Sequence, residues 1–87
     1  MNELPYHQDP QQAFQQAQEG TKDVIDVFEN MDASGNSYGH QLKHLQTEIN
    51  EAYQQIENAM EVATEHQRVQ LQKFQNDLRS IVEQVNQ

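Results

Sequence analysis

The sequence contains no cysteine and no tryptophan, and its 87 residues include only two prolines and three glycines. Without cysteine, the chain has neither a disulfide framework nor a thiolate that could bind metal or act as a nucleophile. No apolar run approaches the roughly 20 residues that a helix needs to span a bilayer. The N-terminal residues also lack the basic start and apolar run of a signal peptide. We therefore expect a cytoplasmic protein.

Basic residues are scarce as well. Five Lys and Arg stand against 14 Asp and Glu, which gives a formal net charge of −9. Residues 1–38 hold seven acids and one lysine, a balance of −6, while residues 39–87 hold seven acids and four bases, a balance of −3. A surface this acidic repels phosphate backbones and anionic lipids. We expect neither nucleic acid nor membrane as a partner, and the charge favours a basic protein surface instead.

What the chain does contain is a regular helical pattern. Its 16 glutamines are good helix formers that carry no charge. Apolar residues recur at alternating steps of three and four in the ranges 14–31, 42–63 and 71–85, which places each set along one face of a helix. The pattern predicts an all-α fold with a disordered leader at 1–9 and a single helical domain at 10–87, with helices at about 10–31, 40–63 and 65–86.

Local signals support these boundaries. Asp9 followed by Pro10 is typical of a helix start, since Asp caps free N–H groups and Pro is tolerated in the first turn. Thr64 with Gln67 has the form of a capping box, which predicts a helix start after residue 64. Gly20 lies inside the first helix and costs roughly 1 kcal/mol relative to Ala. We expect the helix either to bend there or to let a neighbour approach closely.

Two architectures fit three apolar stripes. An antiparallel three-helix bundle places a tight turn near residue 64, whereas a long helical hairpin runs through 40–86 as one helix and dimerises to cover its second half. The similar lengths of the three predicted helices favour the bundle. The predicted core consists of Phe14, Ala17, Val24, Phe28, Met31, Leu42, Leu45, Ile49, Ala52, Ile56, Leu71, Phe74, Leu78, Ile81 and Val85.

The predicted connection at 32–39 resembles the start of a calcium-binding EF-hand loop. Asp32, Ser34 and Asn36 fall at loop positions one, three and five. At position twelve, where a glutamate closes such a site, the chain has Lys43, which repels calcium. We therefore expect an ordinary interhelical loop.

A second pattern has metal-ligand spacing. His40, His44 and Glu48 are four residues apart and share one helix face, a geometry that can chelate zinc, nickel or copper. Counting the apolar stripe in heptads places the two histidines on the outward face of the helix. Solvated histidines are therefore favoured over a metal site, and no cofactor is expected.

No constellation typical of an enzyme is present, so we expect no catalytic residue. The acidic series Glu19, Asp23, Asp26 and Glu29 on the first helix could face a basic partner, although most charge runs are only solvated. A domain this small has a thin core, so a partner or self-association is expected to contribute to its stability. The favoured function is a protein–protein interaction module. The alternatives are a metal-binding helical protein that uses the His40 and His44 face, or a self-associating structural protein.

Two short segments, Glu51-Ala52-Tyr53 and Gln67-Arg68-Val69-Gln70-Leu71, carry a family resemblance. They resemble the C-terminal half of the small YtzC-like proteins of spore-forming bacilli, over about half of the chain. That family has no assigned function. The resemblance implies a small helical cytoplasmic protein of bacterial origin and nothing catalytic.

Overall fold

The computed structural model describes residues 9–32 and 34–86, and all regular secondary structure in these ranges is helical. Helix α1 spans Pro10–Glu29, α2 spans Tyr38–Val62 and α3 spans Glu65–Val85. Each helix packs against both others. The predicted all-α three-helix bundle is therefore confirmed. Of the expected disordered leader at 1–9, residues 1–8 lie outside the described residues.

The first two helices run antiparallel. Near the loop, the backbone N–H of Asp32 donates to the side-chain oxygen of Gln41 at 3.0 Å. Farther back along α1, a Cβ built on Gly20 would lie 3.5 Å from the Cα of Ala52. Moving backward along α1 thus corresponds to moving forward along α2. Ala63 and Thr64 then interrupt the helical chain, and α3 packs against both α1 and α2.

The helix boundaries differ from the predicted ones by one or two residues. Helix α1 ends at Glu29 rather than near residue 31, because the side-chain amide of Asn30 donates to the backbone oxygen of Asp26 at 2.8 Å. Helix α2 begins at Tyr38 rather than at residue 40. Gly39 lies in its first turn without a positive φ, so this glycine continues the helix instead of breaking it.

A capping box separates α2 from α3. Ala63 and Thr64 are extended, with ψ angles of 146° and 169°. The Thr64 hydroxyl accepts from the Gln67 N–H at 3.2 Å, and the Gln67 side-chain oxygen accepts from the Thr64 N–H at 3.1 Å. Both donors would be free at a helix start without such caps. The chain therefore does not continue as one long helix through 40–86.

The core is built from small and branched aliphatic side chains. Nine of the predicted core residues are buried, namely Ala17, Val24, Leu45, Ile49, Ala52, Ile56, Leu71, Leu78 and Ile81. Ala13 and Ala59, which were outside the predicted core, are also buried, at 1% exposure each. Small alanine side chains therefore fill part of the interior beside the larger aliphatic ones.

The large residues of the predicted core lie at its margin. Phe14, Phe28, Met31, Phe74 and Val85 are only half-buried and pack against the core from outside. Phe14 of α1 and Phe74 of α3 contact each other with ring centroids 5.8 Å apart and planes tilted by 37°.

Leu42 is half-buried and is not among the side chains that pack on this core. It lies near the end of the bundle, where few side chains remain to cover it. The prediction of Leu42 as a core residue was wrong.

Replacing the capping threonine tests the connection between α2 and α3. We expect Thr64→Ala to lower the unfolding free energy by about 1 kcal/mol, since the cap hydrogen bond is lost. This corresponds to a melting temperature lower by about 4–8 °C for a domain of this size. Thermal unfolding, monitored by circular dichroism, measures this change in melting temperature.

Thr47→Ala is the matched control. Thr47 lies exposed inside α2, where its hydroxyl donates to the backbone oxygen of Lys43 at 3.1 Å. Because alanine is the better helix former, this change should not lower the melting temperature. Equal melting temperatures for the two variants would show that the capping box does not stabilise the turn.

Candidate functional site

Two grooves follow one another between α1 and α2. The residues that line them recur at steps of one, three or four, which places them on one face of each helix. Among the described residues, α3 contributes nothing to this lining. We call the continuous surface the seam. On the α1 side it is lined by Gln16, Glu19, Gly20, Asp23, Asp26, Val27, Asn30 and Met31, and on the α2 side by Ser37, His40, Gln41, His44, Glu48, Glu51 and Gln55.

The first part of the seam is an acidic groove of about 260 Å³. Glu19 and Asp23 enter it from α1, and Glu48 and Glu51 enter it from α2. Within residues 9–32 and 34–86, the one ion pair joins Lys73 and Asp77 of α3, which lie elsewhere. None of the four groove carboxylates is therefore neutralised by a described basic residue. The acidic groove therefore presents a net negative charge to solvent.

Gly20 shapes the floor of this acidic groove. The side-chain oxygen of Gln55 occupies the space that a Cβ on Gly20 would need. This oxygen is buried and has no hydrogen-bond partner in the described part of the chain. Of the two outcomes that we expected at Gly20, close approach of a neighbour is the one found.

The second part of the seam is an apolar groove of about 490 Å³ next to the loop. It is lined by Val27 near the end of α1, by Met31 just after that end, and by His40 and His44 of α2. Asp26 is the carboxylate in its lining. Both histidines are exposed, while Val27 and Met31 are half-buried. The groove offers apolar walls to solvent beside a negative charge.

The interhelical loop fixes the end of the apolar groove. Gln41 joins the two ends of the loop, because its side-chain oxygen accepts from the Asp32 N–H at 3.0 Å and its amide donates to the Ser37 hydroxyl at 3.4 Å. The Asp32 carboxylate accepts from the Ser34 N–H at 3.1 Å and from the Ser34 hydroxyl at 2.8 Å. The residues that resemble a calcium loop therefore make the local hydrogen bonds of an ordinary turn.

The structure divides the predicted acidic interaction face. Glu19 and Asp23 lie in the acidic groove, and Asp26 lines the apolar groove. Glu29 is exposed and lines neither groove. The prediction missed the contribution of α2, since nothing in the sequence of α1 states which face of α2 it meets. Knowledge of the packing is needed to place Glu48 and Glu51 opposite the acids of α1.

The predicted metal candidates share the same seam. His40 and His44 line the apolar groove, and Glu48 lines the acidic groove. The histidines are exposed as expected, but they border α1 rather than pointing away from it. In the described part of the chain, no three His, Asp or Glu side chains are grouped so that they could hold one metal ion. Metal binding at this face stays an alternative hypothesis beside the favoured interpretation of solvated histidines.

Comparisons with protein-family models, curated proteins and solved structures find no match to this chain. The resemblance to YtzC-like proteins therefore stays a prediction. The functional argument depends on the geometry and charge of the seam.

Two glycine substitutions test the close contact in the seam. Gly20→Ala and Gly39→Ala each replace a helical glycine, so each is expected to raise the unfolding free energy by up to about 1 kcal/mol. A Cβ on Gly39 meets nothing within 4 Å, whereas a Cβ on Gly20 displaces the Gln55 side chain. Because the Gln55 side chain is flexible and its oxygen lacks a hydrogen-bond partner, we expect the two substitutions to raise the unfolding free energy by similar amounts. Denaturant unfolding of the two variants measures these free energies.

A loss of stability in Gly20→Ala beside a gain in Gly39→Ala would contradict this expectation. It would mean that the position of Gln55 over Gly20 holds α1 against α2.

Proposed function

We propose that the protein is a small acidic interaction module that binds a basic segment of a partner protein along the seam. One observation carries the proposal: Glu19 and Asp23 of α1 and Glu48 and Glu51 of α2 line one groove. No described basic residue pairs with these carboxylates, so the basic side chains of a partner would complement them on binding.

The charge distribution supports a role in partner capture. The net charge of −9 creates a field that attracts basic surfaces and speeds their association. This attraction acts over a Debye length of roughly 8 Å at physiological ionic strength, so added salt weakens it. The same charge disfavours nucleic acid and anionic membranes as partners. Across the described residues, none of the helices has the length and apolar character needed to cross a bilayer.

Binding suits the seam better than catalysis does. Thr21 is the one buried polar residue in the described ranges, and its hydroxyl already donates to the backbone oxygen of Ala17 at 2.9 Å. The groove carboxylates lie at the surface. We therefore propose a non-enzymatic, cytoplasmic protein that needs no cofactor.

Self-association is the competing proposal. A second copy brings the same excess of acids to the seam, so two seams that face each other repel. A basic partner removes this repulsion, and the charge therefore favours a different protein over a second copy.

Neutralising the acidic groove tests the proposed function. The probe is a fluorescent helical peptide of alanine and lysine, titrated at physiological ionic strength with anisotropy as the readout. The test variant combines Glu19→Gln, Asp23→Asn, Glu48→Gln and Glu51→Gln. We expect its affinity to fall about tenfold, since four ion pairs of about 0.35 kcal/mol each, within the range of about 0.2–1 kcal/mol for exposed pairs, amount to about 1.4 kcal/mol.

The matched control removes the same charge elsewhere. It combines four exposed residues that line neither groove, namely Glu29→Gln, Glu57→Gln, Glu61→Gln and Glu83→Gln. We expect this control to bind within about twofold of the unchanged protein at physiological ionic strength, where distant charges are screened. Equal losses in the two variants would show that net charge alone attracts the peptide and that the seam is not its binding site.

A further inference from the structure

We infer that the partner segment is a basic amphipathic helix that places an apolar side chain in the apolar groove while its basic side chains lie in the acidic groove. The inference rests on the proposed function and specifies the chemistry of the partner. It depends on a second observation, the apolar groove that follows the acidic groove along the seam.

The apolar groove has the size and walls of an anchor site. Its volume of about 490 Å³ lies within the range of about 300–1,000 Å³ that is typical of pockets for small ligands. Val27 and Met31 already pack against the core, so an apolar side chain that enters the groove extends the core outward. Burying such a side chain removes both it and the groove walls from water.

Charge decides which occupant fits. Asp26 lines the apolar groove and lies three residues beyond Asp23 of the acidic groove, so negative charge reaches the anchor site. A second copy of this chain would bring further acids to these carboxylates. A segment with lysine or arginine beside its apolar side chain complements both grooves at once.

The geometry of the seam favours a helical segment. A groove between two packed helices is a surface that a third helix can fill with one amphipathic face. Val27 lies four residues beyond Asp23, which is about 6 Å along α1 at 1.5 Å per residue, and Met31 follows just after the end of α1. A helix aligned with the seam therefore needs its first apolar residue about one turn from its basic residues, and its second apolar residue about one turn farther on.

Three labelled peptides test this inference. The first carries lysines on one helical face, with leucines four and eight residues beyond the last lysine. The second has alanine in place of the leucines, and the third has the leucines at a spacing that places them on the opposite face. We expect the first to bind the protein at least tenfold more tightly than the other two in anisotropy titrations at physiological ionic strength.

Two protein variants test whether the apolar groove binds the leucine side chains of the peptide. The groove variant combines Met31→Ser with His44→Ala, and its control combines Val69→Ser with His66→Ala, an exposed pair on α3 that lines neither groove. We expect the groove variant to bind the leucine and alanine peptides equally, while the control keeps the preference for leucine. A second variant, His40→Ala with His44→Ala, changes exposed residues only. We expect it to lower the affinity of the leucine peptide, and this test remains valid even if Met31→Ser unfolds the protein.

The outcomes separate the inference from the proposed function. Equal, salt-sensitive binding of all three peptides would contradict the inferred anchor site in the apolar groove. It would remain compatible with the proposed function as an acidic interaction module. No binding of any peptide would overturn both. A dimer in sedimentation that becomes monomeric in the groove variant would show that a second copy covers the apolar groove, which also overturns the inference.

Discussion

The packing of α1 against α2 is the contact on which the rest of the structure depends. At Gly20 of α1, the side chain of Gln55 occupies the space that a Cβ would need, and the Cα of Ala52 would lie 3.5 Å from that Cβ. Ala17 of α1 and Ala59 of α2 are small residues that are also buried. Small side chains allow helices to pack closely over most of their length, and this pair makes the most extensive interface of the bundle.

The same packing creates the seam. Glu19 and Asp23 lie on either side of Gly20 in α1, while Glu48 and Glu51 precede Ala52 in α2, and the packing of the two helices places all four in the lining of one groove. No described basic residue pairs with these carboxylates, so the groove presents negative charge to solvent. This is the surface that the proposed basic partner would complement.

The third helix determines which side of the pair stays open. The capping box at Thr64 reverses the chain, and contact between Phe74 and Phe14 joins α3 to α1. Leu71 and Leu78 are fully buried, so α3 completes the core from its own side. The seam keeps its solvent-exposed acids because α3 supplies none of its described lining.

Local sequence determined the three helices and the starts of α1 and α3, because the pattern of apolar residues and the caps at Asp9 and Thr64 act within a few residues of the chain. It also determined the charge, and it marked Gly20 as a point of bending or close contact. Tertiary structure alone decided that Glu19 and Asp23 of α1 share a groove with Glu48 and Glu51 of α2. It also decided that alanines fill part of the interior while Phe14 lies at its margin. Finally, it placed His40 and His44 beside α1. These outcomes depend on the rotation and distance between two helices, which are set by contacts between residues far apart in the sequence.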